Sequence, residues 1–128
     1  HCLGYISPSE TAQFRSDMAV LLAPYQLKTK TIGGTDTTAY MSPIKIFEYM
    51  SSKTPIISSD LSVIREVLNE RNSYLVKAND VSAWKDAIQY LIHNPKDGQS
   101  LSNSAFNYFV EHLTWESRAQ KIKSFIES

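Results

Sequence analysis

Glu48 is the residue whose placement most invites chemistry. It follows Ser42-Pro43-Ile44-Lys45-Ile46-Phe47, a stretch that reads as a loop entering a helix over about 43–52. Ser42 is a capping type, and Pro43 suits the first helical position, where no backbone donor is needed. Ile44, Phe47 and Met50 recur at helical spacing and are expected to face a core. Glu48 stands one turn beyond Ile44, on the shoulder of that apolar stripe. A carboxylate there is costly without a partner, and it lies too deep to favour the positive end of the helix dipole. Two readings are open. Glu48 is a surface acid paired with Lys45, three residues earlier, or it accepts hydrogen bonds from a ligand lying across the helix N-terminus.

Two further spots carry weaker signals. Asp60 follows the apolar run Pro55-Ile56-Ile57, where it either caps a short helix over 61–68 or faces the site. Gly33-Gly34 lies in a long irregular segment, 26–41, that contains five threonines. The pair is either a backbone nest for an anion or a plain flexible turn.

The elements that must position these residues alternate. Short apolar runs at 2–6, 19–23, 55–57 and 74–76 read as strands, the second uninterrupted enough to be buried on both faces. Between and after them come helical patterns. Ser7-Pro8-Ser9-Glu10 is a capping box opening a helix to about Asp17, with Ala12 and Phe14 available for packing. Asp80 caps a helix carrying Val81, Trp84, Ile88, Leu91 and Ile92, which Pro95 ends. Leu101, Ala105, Tyr108 and Phe109 mark another, to about His112. Thr114 caps the last, with Trp115, Ala119, Ile122, Phe125 and Ile126 on one side, expected in the core. Strands alternating with helices imply a Rossmann-like parallel sheet flanked by helices, with a helical C-terminal tail.

A chain of 128 residues, 42% apolar and 20% charged, is expected to be one globular domain. Lys+Arg and Asp+Glu are 13 each, which argues against a general nucleic-acid or anionic-membrane binder. The single cysteine, Cys2, allows no internal disulfide, and His1, His93 and His112 show no zinc spacing. No apolar run approaches the length of a membrane span. The start at His1-Cys2, without Met and inside a strand-like run, suggests an N-terminally truncated domain.

Ser42-Pro43-x-Lys45-x-Phe47-Glu48-Tyr49-Met50, then Pro55-Ile56-Ile57-Ser58-Ser59-Asp60 and Ile64-Arg65-Glu66-Val67, resembles the donor-site signature of family-4 retaining glycosyltransferases. Leu3 to Glu10, Ser16 to Tyr25, and Leu113-Thr114-Trp115-Glu116 resemble flanking parts of the same domain, so the likeness spans almost the whole chain. The resemblance implies the C-terminal, donor-binding domain of a two-Rossmann-domain (GT-B) enzyme. The N-terminal acceptor-binding domain would then be missing here. It implies transfer from a nucleotide-sugar to a glycan or lipid-linked sugar, of hexosyltransferase type, in polysaccharide biosynthesis. It implies a cytoplasmic site with peripheral membrane association of the full-length enzyme, and neither cofactor nor bound metal.

Carried over residue by residue, Glu48 matches the second glutamate of the family's Glu-x7-Glu motif, which binds the ribose. Position 40, where the first glutamate approaches the donor sugar, holds Tyr40 instead. Met41, Ser42, Pro43 and Ile44 match the segment whose backbone faces sugar and phosphates, and Lys45 adds a point charge in the first turn. No residue is assigned as catalytic. The competing readings are a degenerate donor domain kept for subunit contacts, which Tyr40 favours, and a receiver-like signalling domain with Asp60 as phosphoacceptor.

Overall fold

The computed structural model describes residues 4–26 and 44–127. Three parallel strands form one sheet in the order β1-β2-β3: β1 is Leu21–Ala23, β2 Ile56–Ser59 and β3 Tyr74–Val76. Leu21 stands opposite Ile56, and Ile57 opposite Tyr74. Helix α1 (Pro8–Asp17) precedes β1 and α2 (Ile44–Ser51) precedes β2. Helices α3 (Val81–His93), α4 (Pro95–His112) and α5 (Trp115–Ile126) follow β3. This is the α/β class that the alternating pattern predicts.

The pleat divides the core. Ile56 packs with Ile46 and Met50 of α2 and Ala105 of α4. Its neighbour Ile57 points the other way, to Val76 and to Ala87 and Leu91 of α3. Successive strand side chains alternate faces, so two adjacent isoleucines serve two layers. Ser58 and Ser59 are also buried, and their hydroxyls donate to the carbonyls of Ala23 (3.3 Å) and Tyr25 (2.7 Å).

The helix caps form where the sequence places them. The Glu10 N–H donates to Ser7 Oγ (3.4 Å), and the Ser7 N–H donates to Glu10 Oε2 (2.9 Å). Asp80 accepts the Ala83 N–H at 3.0 Å, and Thr114 accepts that of Ser117 at 3.1 Å. These bonds satisfy donors that a helix start leaves open.

Several expectations fail for tertiary reasons. Residues 4–6 are not a strand: Gly4 has φ 69°, a left-handed conformation that interrupts extended backbone. Cys2 and Leu3 lie outside the described residues. Ala12 and Phe14 are exposed, and α1 buries none of its residues. Leu22 is exposed and belongs to neither core cluster, so β1 is not covered on both faces. The helix expected over 61–68 shrinks to a 3-10 turn at Ile64–Glu66. Leu61, Val63, Ile64, Val67 and Leu68 are all buried there, so the apolar face expected of that helix is kept although only the short turn is helical. Trp115, Ile122, Phe125 and Ile126 are exposed, Trp115 by 81% and Phe125 by 83%. Helical spacing shows that one side of α5 is apolar; it does not show that anything covers it. Among the described residues no helix is long and apolar enough to cross a membrane.

Candidate functional site

The rotation of α2 decides where Glu48 points. Ile46 and Met50, one turn apart, are fully buried. Each contributes roughly 1.5–3 kcal/mol of burial, enough to hold the helix in one orientation. Glu48 is two residues from both, about 200° round the helix, since each residue turns about 100°. Its carboxylate therefore leaves the core entirely. The stripe expected from Ile44, Phe47 and Met50 is displaced: Ile44 is 62% exposed, Phe47 half-buried, and Ile46 takes the central place. Glu48 is thus not on the shoulder of the buried face but opposite it.

Nor is its partner Lys45. Arg15, at the end of α1, donates from Nη1 to Glu48 Oε2 at 3.3 Å. The Arg15 side chain is 17% exposed and that of Glu48 52%, so the guanidinium lies beneath and the carboxylate opens outward. Sequence reasoning missed Arg15. A separation of 33 positions and an unremarkable helical context leave no local signal to find it. Next to Glu48, Tyr49 is half-buried and its hydroxyl donates to the Leu22 carbonyl (3.4 Å). Burial, more than any neighbouring charge, pushes the Tyr49 phenol above its ordinary range.

Ile44, the first residue of α2, borders a cavity of about 500 Å³ lined also by Phe47, Phe109, Leu113, Trp115 and Arg118. The Arg118 guanidinium stands 5.7 Å from the centre of the Trp115 ring. The cavity lining also includes Glu116, so the arginine and an acid border the same space as Ile44. Lys45 is exposed in the same first turn. Tyr40, Met41, Ser42 and Pro43, assigned to the donor site by resemblance, lie outside the described residues, as does Gly33-Gly34.

Asp60 is neither a cap nor free. Arg65 donates to it from Nε and from Nη2 (2.9 Å), and reaches Glu70 Oε1 from Nη2 (2.9 Å). The hydrogen bond from Arg65 holds the Asp60 carboxyl below its ordinary pKa of 3.8. With both oxygens on a guanidinium, Asp60 is a poor nucleophile for a phosphoryl group, which removes the geometric support for a receiver-like role. Among the described residues no group of three or more His, Cys, Asp or Glu is placed to hold a metal ion.

Comparisons with known proteins bear on the fold and the family. The chain is similar in fold to a sucrose-phosphate synthase from Thermosynechococcus elongatus, with a TM-score of 0.73 at 22% identity over 98% of this chain and 29% of that one. It is also similar to TarM, with a TM-score of 0.52 at 22% identity over 66% of this chain and 18% of that one. The chain therefore spans less than a third of the length of either solved structure. No curated protein matches it. The family model described as "Glycosyl transferases group 1" matches residues 1–94, nearly three quarters of the sequence and the whole stretch from α1 through α3. The chain belongs to the group 1 glycosyl transferases.

Proposed function

We propose that this chain is the donor-binding part of a glycosyltransferase and that Glu48 accepts the ribose hydroxyls of a nucleotide-sugar. The observation that carries the reading is the placement of Glu48 one turn into α2, outward-facing and half exposed, with its carboxylate steadied from below by Arg15. The start of α2 would take the diphosphate through backbone N–H groups near Ser42 and Ile44, aided by the charge of Lys45. By resemblance Met41, Pro43 and Tyr40 line the sugar side. Acceptor binding and transfer itself belong, in this reading, to a partner domain, with a glycan or lipid-linked sugar as acceptor and the reaction in the cytoplasm.

Hydrogen bonds to a charged group are each worth roughly 1.5–3 kcal/mol. Losing two should weaken nucleotide binding by about a hundredfold or more. Calorimetric titration of UDP and GDP into the longer protein, with and without Glu48→Ala, reads this directly. Unchanged affinity would remove Glu48 from the site. The degenerate-donor reading is favoured by Tyr40 in the position of the family's first acid. It predicts that neither nucleotide raises the melting temperature of the longer protein.

A further inference from the structure

We propose that Arg15 is a positioning residue that holds the Glu48 carboxylate in the orientation a ribose diol requires; the inference rests on the donor-site reading of Glu48. No residue of helix α1 is fully buried, and its large apolar side chain Phe14 is exposed, so apolar packing does not explain how it is held. Two polar contacts at Arg15 tie it down. The buried Thr54 hydroxyl donates to the Arg15 carbonyl at 2.7 Å, which fixes the backbone just before β2. The Arg15 Nη1 then reaches Glu48 Oε2 at 3.3 Å.

The guanidinium is set up for this one task. Its Nε is buried and has no hydrogen-bond partner among the described residues. A largely buried cation with an unsatisfied donor is costly unless its remaining contact compensates. That contact is Glu48, a residue with an exposed outer edge. A carboxylate offers about four acceptor sites. Arg15 takes one from the protein side, so the others remain for hydroxyl donors from solution. Fixing the side chain in advance also spares the rotamer freedom that binding would otherwise remove. A lysine would supply the charge without the planar, directional donors.

The opposite arrangement is also physically coherent: Arg15 would compete with the ligand and sequester the acid. The two differ in sign. In the longer protein, affinities for UDP and 2′-deoxy-UDP, and for GDP and its 2′-deoxy form, are measured by calorimetry. The ribo-to-deoxy preference is compared for wild type, Glu48→Gln, Arg15→Gln and Arg15→Lys. Wild type should prefer the ribonucleotide, and Glu48→Gln should lose that preference. Arg15→Gln should reduce it by about two- to fivefold, the worth of a partly exposed ion pair, while the deoxynucleotide affinity stays put. Arg15→Lys should fall between, and it serves alone if Arg15→Gln fails to fold. An undiminished preference in the Arg15 variants, an increased one, or a parallel loss of both affinities overturns the positioning role while leaving Glu48 in place. A wild-type protein that binds neither nucleotide, or shows no ribose preference, overturns the donor reading and this inference with it.

Discussion

Replacing Gly98 with alanine sets two effects of similar size against each other, and the structure decides the winner. Gly98 is buried in the fourth position of α4. An exposed helical glycine changed to alanine gains about 1 kcal/mol from propensity. Here a Cβ would stand 3.0 Å from Pro55 Cγ, 3.6 Å from Pro55 Cβ and 3.8 Å from Leu91 Cδ2. Only the first contact is too close. Pro55 has no rotamer to swing into, because its ring is closed on its own backbone and its carbonyl accepts the Leu21 N–H at 2.8 Å, so only a change of ring pucker relieves the contact. Overpacking of this kind costs roughly 1–3 kcal/mol. Gly98→Ala should therefore destabilise by about 1 kcal/mol net, lowering the melting temperature by about 4 °C for a chain of this size. The Pro55→Ala background removes Cγ and keeps Cβ, so the remaining contact at 3.6 Å is ordinary. There Gly98→Ala should stabilise by about 1 kcal/mol. Thermal and urea denaturation of the four proteins closes a double-mutant cycle with a coupling of about 2 kcal/mol. If Gly98→Ala stabilised the wild-type background by its full propensity gain, the close approach of α4 to β2 would be refuted.

Other outcomes follow from individual contacts. Asn72 is buried, accepts the Asn69 N–H at 2.8 Å and donates to the Val67 carbonyl at 3.1 Å. Asn72→Ala should lower stability by about 2 kcal/mol through unmet backbone groups, read by urea denaturation, whereas a loss below about 0.5 kcal/mol would show that water satisfies them. Arg65 depresses the pKa of Asp60 in the folded state, so its contribution is present above the ordinary value of 3.8 and fades as pH falls through the lower folded value. Arg65→Gln should thus be less stable than wild type near neutrality, with the difference shrinking below pH 3.8. A difference independent of pH would assign the effect to packing of the arginine stem instead.

How much was legible in the sequence depended on the range of the interaction. Ser7 with Glu10, Asp80 with Ala83 and Thr114 with Ser117 each act within one turn, and all were placed correctly. The strands at 56–59 and 74–76 were likewise signalled by the apolar runs 55–57 and 74–76 between turn residues, although only the first is buried along its whole length. The close-packing face of α4 was only partly seen. Gly98, Ser102 and Ala105 are its buried residues, yet small side chains give no hydrophobic signal.

The candidate site divides along the same line. Sequence alone determined that the helix after the threonine-rich segment carries an acid in need of an explanation, because its type and its distance from the helix start are local properties. Tertiary structure decided where that acid points and which side chain it pairs with. Burial of Ile46 and Met50 turned Glu48 away from the core, and α1 delivered Arg15 to it from 33 positions upstream. It also drew Asp60 onto Arg65 and left the apolar side of α5 exposed. Periodicity records which way a side chain points from its own element. What stands opposite is set by how the elements meet, and that depends on residues far apart in the chain.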